Sequence, residues 1–278
     1  MTRLNITLGA DPEFFIRDRD TGITVPVCGL LGGTKGAPVQ HGLYGLQEDN
    51  VMCEYNIPAG ADVMRFARYV VEGRQACLDA LAAKFPRKYE ADMTPSRVFT
   101  LDQLSHPQAQ TFGCSPDYDA HQLGQPNRRI APDELLEPRG GWRFSGGHIH
   151  IGFRESQKFD VPAYVAAQFA DVFISLHCLR WDVQGMRRKF YGSAGRYRPT
   201  PYGIEYRTMS NAWTAQAGIA EQVGMYAQSL GYFLCRSKAE VKRAWSEIPW
   251  QDVKRAIENE DKDLATSLIS YTNSLGMS

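Results

Sequence analysis

The chain has 278 residues, 43% of them hydrophobic and 22% charged, and its 31 Lys plus Arg balance 31 Asp plus Glu to a net charge of zero. That length supports a sizeable core without disulfides or structural metals, and the neutral balance argues against a general nucleic-acid binder, which is basic overall. No apolar run approaches the ~20 residues needed to span a membrane. The richest, Val161 to Trp181, is interrupted by Asp171, His177 and Arg180.

The elements follow from hydrophobic period and turn residues. Residues 4–8 and Phe14–Ile16 read as one strand around the GADPE segment, with a turn at Gly22 and a returning strand over Ile23–Val27. The glycine-rich stretch 29–45, which carries Lys35, reads as a long loop, and Val51–Ile57 as a strand ended by Pro58. Asp62 is a good N-cap. Val63, Phe66, Val70, Cys77, Leu78 and Leu81 then recur at helical spacing until Pro86. Residues 92–117 read as short strands and loops, residues 120–141 as loop, and GGHIHIGF within Phe144–Phe153 as a strand.

A second helix is predicted from about Pro162 to Asp182, with Val165, Phe169, Val172, Phe173, Leu176 and Leu179 as its stripe. Residues 184–203 read as a basic, glycine-rich loop and Ile204–Met209 as a strand. A third helix covers roughly Thr214 to Cys235, and shorter helices fill 249–275. With no repeat, low-complexity tract or linker, one α+β domain over 1–278 is the simplest parse, its C-terminal region of about 214–278 helical. The six cysteines are Cys28, Cys53, Cys77, Cys114, Cys178 and Cys235; none forms a CxxC pair. The start MTRLNITLGADPEFF has no basic-then-apolar signal segment. Reduced thiols in a cytoplasmic protein are therefore expected.

Four strand-like segments carry polar groups at alternate positions: Asp11-x-Glu13, Glu54-x-Asn56, His148-x-His150 and Glu205-x-Arg207. Residues i and i+2 of a strand share a face, about 6.6 Å apart at ~3.3 Å rise per residue. Each pair can therefore aim both side chains at one site. Carboxylates gathered there need a cation to stay ionised together. Oxygen-rich ligands suit Mg²⁺ or Mn²⁺, and such metals commonly hold nucleotide phosphates. Two histidines on one strand face also suit a zinc hydrolase, although no HExxH and no Cys pair accompany them.

Arg187, Arg188, Lys189, Arg196 and Arg198 fall within twelve residues, with no acid between Asp182 and Glu205. Guanidinium forks and glycine backbone suit phosphate or carboxylate oxygens. Nucleotide phosphates are the preferred partner because the stretch runs directly into Glu205-x-Arg207. Tyr191, Tyr197 and Tyr202 would serve a nucleic-acid reading as stacking partners. Lys35 in GGTKGAP is not part of a P-loop, but it can reach a phosphate or a substrate carboxylate. Cys114 as a nucleophile would need a nearby base, and Asp117 reads as a loop acid suited to an amine or as a turn residue.

Together, GADPEFF, DNVMCEYNIPA, GGHIHIG and RKFYGSAGRYRPTPYGIEYR resemble the phage-type carboxylate–amine ligases, the type-2 amidoligases, distant relatives of glutamine synthetase. The resemblance runs from about residue 8 to 213. It implies a curved antiparallel sheet of about six strands, shared with guanidino kinases, with helices on one face. It implies metal ligation by Asp11, Glu13, Glu54, His148 and Glu205. Asp11 stands where Glu is more usual, Asp49 or Asn56 is left for a further metal position, and His150 falls behind the ligands or towards substrate. Glu13, Glu54, Arg198, Glu205 and Arg207 would be catalytic, and Lys35, Arg187, Arg188, Arg196, Arg198 and Arg207 would hold ATP. The implied activity joins a small-molecule or peptide carboxylate to an amine through an acyl phosphate, with ATP and Mg²⁺ or Mn²⁺, in the cytoplasm of a phage host. A guanidino-kinase-like phosphotransferase is the competing reading.

Overall fold

The computed structural model describes residues 6–110, 117–128, 130, 132–137, 140–153 and 160–277. Cys114 lies outside the described residues. In chain order the strands are β1 (Ile6–Asp18), β2 (Thr24–Val25), β3 (Val39–His41), β4 (Tyr44–Asp49), β5 (Met52–Asn56), β6 (Tyr89–Asp92) and β7 (Ser96–Phe99). There follow β8 (Tyr118–Asp119), β9 (Gln125–Pro126), β10 (Leu136–Glu137), β11 (Gly140–Phe144), β12 (Gly147–Phe153), β13 (Arg196–Thr200) and β14 (Gly203–Tyr206). The helices are α1 (Val63–Lys84), α2 (Pro107–Gln110), α3 (Ala163–Ala170), α4 (Leu176–Cys178), α5 (Met186–Phe190), α6 (Ala217–Leu234), α7 (Lys238–Glu247), α8 (Trp250–Glu258) and α9 (Lys262–Ser274).

The expected α+β class with a large antiparallel sheet is what the chain forms. Its strands run β3-β4-β5-β1-β12-β14-β13-β8-β9, with β2 and β6 also paired to β1. That makes an 11-stranded sheet among the described residues, larger than the six strands implied by resemblance. The excess lies in short edge pieces, while β4, β5, β1, β12, β14 and β13 form the continuous centre.

Strand alternation builds the two faces. In β1 the residues Ile6, Leu8, Ala10, Phe14 and Ile16 enter the main core, as do Ile149, Ile151 and Phe153 of β12 and Ile204 and Tyr206 of β14. Their alternates Asp11, Glu13, His148, His150 and Glu205 therefore share the opposite face. Helices α1, α6 and α3 pack on the apolar face, and α8 and α9 lie outside α4. None of the helices among the described residues is long and apolar enough to cross a membrane.

Helix α1 starts where Asp62 accepts the Arg65 N–H at 2.9 Å, a cap that satisfies an otherwise orphaned donor. Its buried stripe of Phe66, Val70, Cys77 and Leu81 confirms the helical period. Gly73 sits over Tyr55, whose hydroxyl donates to the Val70 carbonyl at 2.7 Å. A Cβ at Gly73 would overlap the Tyr55 ring. Gly73→Ala should therefore destabilise the protein by about 1–3 kcal/mol through overpacking, although Ala is the better helix former. A denaturant melt with an unchanged or raised midpoint would contradict that contact.

Several sequence expectations need correction. The stretch 184–203 is not one loop: α5 and β13 lie within it, so Arg196 and Arg198 stand on a strand. The stretch 29–45 contains β3 and the start of β4. Helix α7 lies within the region expected to be helical but between the helices given bounds there, and Ser237 and Glu240 form a capping box at its start. Tyr197 is buried at 4% exposure and is no stacking surface. The second helix is one continuous element with a π-helical turn over Asp171–Ser175 between α3 and α4. There the buried Asp171 carboxylate lies 2.7 Å from His121 Nε2 and accepts the Gly195 N–H at 3.0 Å.

Candidate functional site

Register brings the predicted polar pairs into one row. Glu13 of β1 faces Glu54 of β5, and Glu54 faces Gln47 of β4. On the other side Asp11 faces His148 of β12, His150 faces Glu205 of β14, and Glu205 faces Arg198 of β13. Asp11, Glu13, Glu54, His148, Glu205 and Arg207 are all buried.

Two clusters emerge along the row. Glu13, Asp49 and Glu54 each offer an oxygen, with all three atoms within 4.8 Å of one another. Asp11, His150 and Glu205 meet the same 4.8 Å condition. Of the two residues that sequence alone left open, Asp49 is the one that lies with Glu13 and Glu54. Asn56 is exposed and lines a separate cavity with Thr7, Gly9, His150 and Tyr202. Both histidines reach the second cluster. His150 Nε2 is 3.1 Å from Asp11 Oδ1, and His148 Nδ1 is 3.4 Å from Asp11 Oδ1 and 3.6 Å from Glu205 Oε1. His148 Nδ1 also lies 3.3 Å from Arg207 Nη1, an acceptor for that guanidinium.

The glycines before His148 permit these approaches. Glu13 Oε2 accepts the Gly146 N–H at 2.7 Å. At Gly147 a Cβ would collide with the Trp213 indole, whose Nε1–H donates to the Gly147 carbonyl at 3.0 Å.

The two clusters differ electrostatically. Burial, with the Asp49 charge adding to it, pushes the Glu13 carboxyl up to about 8. Burial also raises Asp49, and it raises Glu54 well above the usual range, helped by Asp11 and Glu13. Burial would raise Asp11 too, but His150 and His148 outweigh it and hold Asp11 well below its ordinary value. At Glu205 burial is likewise overcome, chiefly by Arg207, and the carboxyl is lowered. Burial and then Arg207 bring His148 down to about 4, so it is neutral at pH 7. At His150 burial is outweighed by Asp11, and the imidazole is raised.

The cations divide by location. Arg198 donates to Glu205 Oε2 at 2.8 Å, and Arg207 also bonds Glu205. Arg187 is buried, donating to the Thr208 and Arg207 carbonyls at 3.0 and 3.1 Å. It lines a cavity of about 60 Å³ with Glu13, Asp49, His148, Arg207 and the aromatic Phe144 and Tyr191. Lys35 is exposed, and its charge favours ionised Asp49. Arg188 and Arg196 stand apart from the row. Arg188 is buried 3.7 Å from Asp182 and 3.6 Å from Glu260. Arg196 pairs with Asp117 at 3.1 Å and lines a separate polar cavity of about 410 Å³ with Lys189.

Along β1 the row thus lies between two cavities. The 60 Å³ one is beside Glu13, and the other, of about 380 Å³, is beside Thr7, Gly9 and His150. Sequence reading missed Gln47 and the Tyr202 hydroxyl, which lies 2.6 Å from His150 Nδ1. The signal for Gln47 was present as Gln47-x-Asp49, the same alternation as in the other strands.

No family model matches the sequence, and no curated protein matches it. Among solved structures, the chain is similar to one described as a crystal structure of a novel glutamine synthase homolog, at 10% identity and a TM-score of 0.38. That likeness covers 98% of this chain and 67% of the other. At this level the likeness carries no weight for chemistry, and the candidate site stands on its own register and atoms.

Proposed function

We propose that this protein is an ATP-dependent carboxylate–amine ligase that requires divalent cations and works through an acyl phosphate. The observation that carries this reading is the buried row itself. Two clusters of cation-binding groups lie on adjacent strands, with two guanidinium groups converging on Glu205.

The residues fit divalent cations. Three carboxyls within 4.8 Å repel one another when ionised, and Glu54 Oε2 is buried with no hydrogen-bond partner among the described residues. Glu13, Asp49 and Glu54 would hold one ion through oxygen alone. Asp11, Glu205 and an imidazole, His150 or His148, would hold a second. Such ions, when bound, neutralise phosphate oxygens and align the transferring group.

The chain's own groups then have distinct tasks. Arg198 and Arg207, fixed by Glu205, would place donors where charge develops on the γ-phosphoryl group, the arrangement in which preorganised donors act most strongly. Arg187 Nε, buried without a partner among the described residues, would donate to the substrate carboxylate. A carboxylate oxygen attacks the γ-phosphorus and ADP leaves with the bond electrons. The amine then attacks the acyl carbon, phosphate departs, and the nitrogen loses a proton. The substrates on this reading are a small-molecule or peptide acid and an amine, and the whole chain acts as one catalytic domain.

The test is incubation with ATP, Mg²⁺ and a mixture of amino acids, peptides and polyamines. ADP release with a product lighter by one water than its two substrates combined supports the ligase. A phosphorylated acceptor that keeps all its heavy atoms and gives up only the proton that the phosphoryl group replaces would instead support a phosphotransferase. Cleavage of a substrate without ATP, dependent on Zn²⁺, would support the hydrolase.

A further inference from the structure

Gln47 is 1% exposed in β4, directly opposite Glu54 and two residues before Asp49. Its side chain therefore lies on the face of the carboxylate row. Among the described residues, Gln47 Oε1 has no hydrogen-bond partner, and neither has Glu54 Oε2. A buried polar atom left unmade costs about 1–3 kcal/mol, and here two orphaned oxygens sit on facing residues beside two more carboxylates. Oxygens so gathered attract a cation.

We infer that the Gln47 side-chain oxygen is a fourth, uncharged ligand of the cation held by Glu13, Asp49 and Glu54. The inference rests on reading that cluster as a cation site, not on the ligase chemistry. The amide is suited to the role. Three carboxylates already exceed the charge of a divalent ion, so a fourth would add repulsion, whereas an amide adds an oxygen without charge. Mg²⁺ and Mn²⁺ accept about six ligands. Four protein oxygens then leave about two positions for water or substrate oxygen. The resulting site is hard and oxygen-only, unlike the imidazole-containing cluster of Asp11, His150 and Glu205.

The alternative role for Gln47 is structural, as the acceptor of a proton held by Glu54. The two roles separate in the full-length chain stripped with EDTA, titrated with Mn²⁺ by electron paramagnetic resonance, and melted without metal. A His150→Ala background weakens the second cluster by removing one of its three groups, with His148 still beside Asp11 and Glu205. In that background Gln47→Leu should weaken Mn²⁺ binding about 10- to 100-fold, with the metal-free melting temperature unchanged or raised. Gln47→Glu should bind Mn²⁺ at least as tightly while its metal-free melting temperature falls. Equal Mn²⁺ affinity before and after Gln47→Leu overturns the proposal, as does a lower metal-free melting temperature without an affinity change. Absence of Mn²⁺ binding in the parent chain overturns it too. Failure to form an amide, with these binding results intact, would retire the ligase reading alone.

Discussion

Glu13→Gln should lose cation-dependent nucleotide turnover by on the order of 10³-fold, about 4 kcal/mol of transition-state stabilisation, yet leave the metal-free protein more stable than the parent. The physical basis is the same for both effects. Glu13 is buried beside Asp49 and Glu54, and burial with the Asp49 charge pushes its carboxyl up to about 8. A buried carboxylate without a compensating charge is costly. Glutamine keeps the shape and an oxygen to accept the Gly146 N–H, now made at 2.7 Å by Glu13, but removes a negative ligand. Turnover assays and calorimetric Mn²⁺ titrations read the loss, and melts in EDTA read the gain. Unchanged cation affinity with a fall in metal-free stability would show Glu13 to be an ordinary packing residue.

The second large effect is on pH dependence. Without divalent ions, stability should fall as pH rises from about 5 to about 8, and Mn²⁺ should reverse that fall. Glu13 rises from 4.5 to about 8 in the fold, with Asp49 and Glu54 also raised. Across that window the folded chain holds protons that the unfolded chain has released, so the slope of stability against pH is negative. Asp11 and Glu205 act in the opposite sense. Their lowered carboxyls contribute stability above the ordinary carboxylate range, and it is lost as pH falls through their folded values. His148, brought from 6.5 down to about 4, also favours the fold above 6.5 and withdraws that contribution as pH falls towards 4. Cations bind ionised carboxylates, so binding near pH 7 should release protons from the oxygen-only cluster, Glu13 and Glu54 among them. Calorimetry in two buffers of different ionisation enthalpy measures this. The release should shrink above pH 9 and in Glu13→Gln, and a pH-independent heat in both buffers would sink the cluster assignment.

Much of the candidate site was legible because strand alternation is local. Asp11-x-Glu13, His148-x-His150 and Glu205-x-Arg207 announce shared faces from spacing alone, and the strands then align them as Asp11 with His148 and His150 with Glu205. The helix stripe from Phe66 to Leu81 was equally readable, since a period of 3.6 repeats within one segment. The arginines were not. Arg187, Arg188, Arg196 and Arg198 form one basic run in the sequence. The fold sends Arg198 to Glu205, Arg187 to the inner cavity, Arg196 to Asp117 and Arg188 to Asp182 and Glu260. Their directions depend on α5 and β13, short elements whose pairing partners lie far away in the chain.

By itself, then, the sequence determined the class of fold, the faces of its strands and the residue types able to bind cations, because these follow from periodicity and chemical identity. Which carboxylates meet was decided by tertiary structure. Asp49 joins Glu13 and Glu54 through the antiparallel register of β4, β5 and β1. Gln47, silent as a single residue, acquires meaning only because that register buries its oxygen beside Glu54 without a partner among the described residues. Register between strands is a long-range property, set by the packing of the whole core face, and no spacing within one segment encodes it.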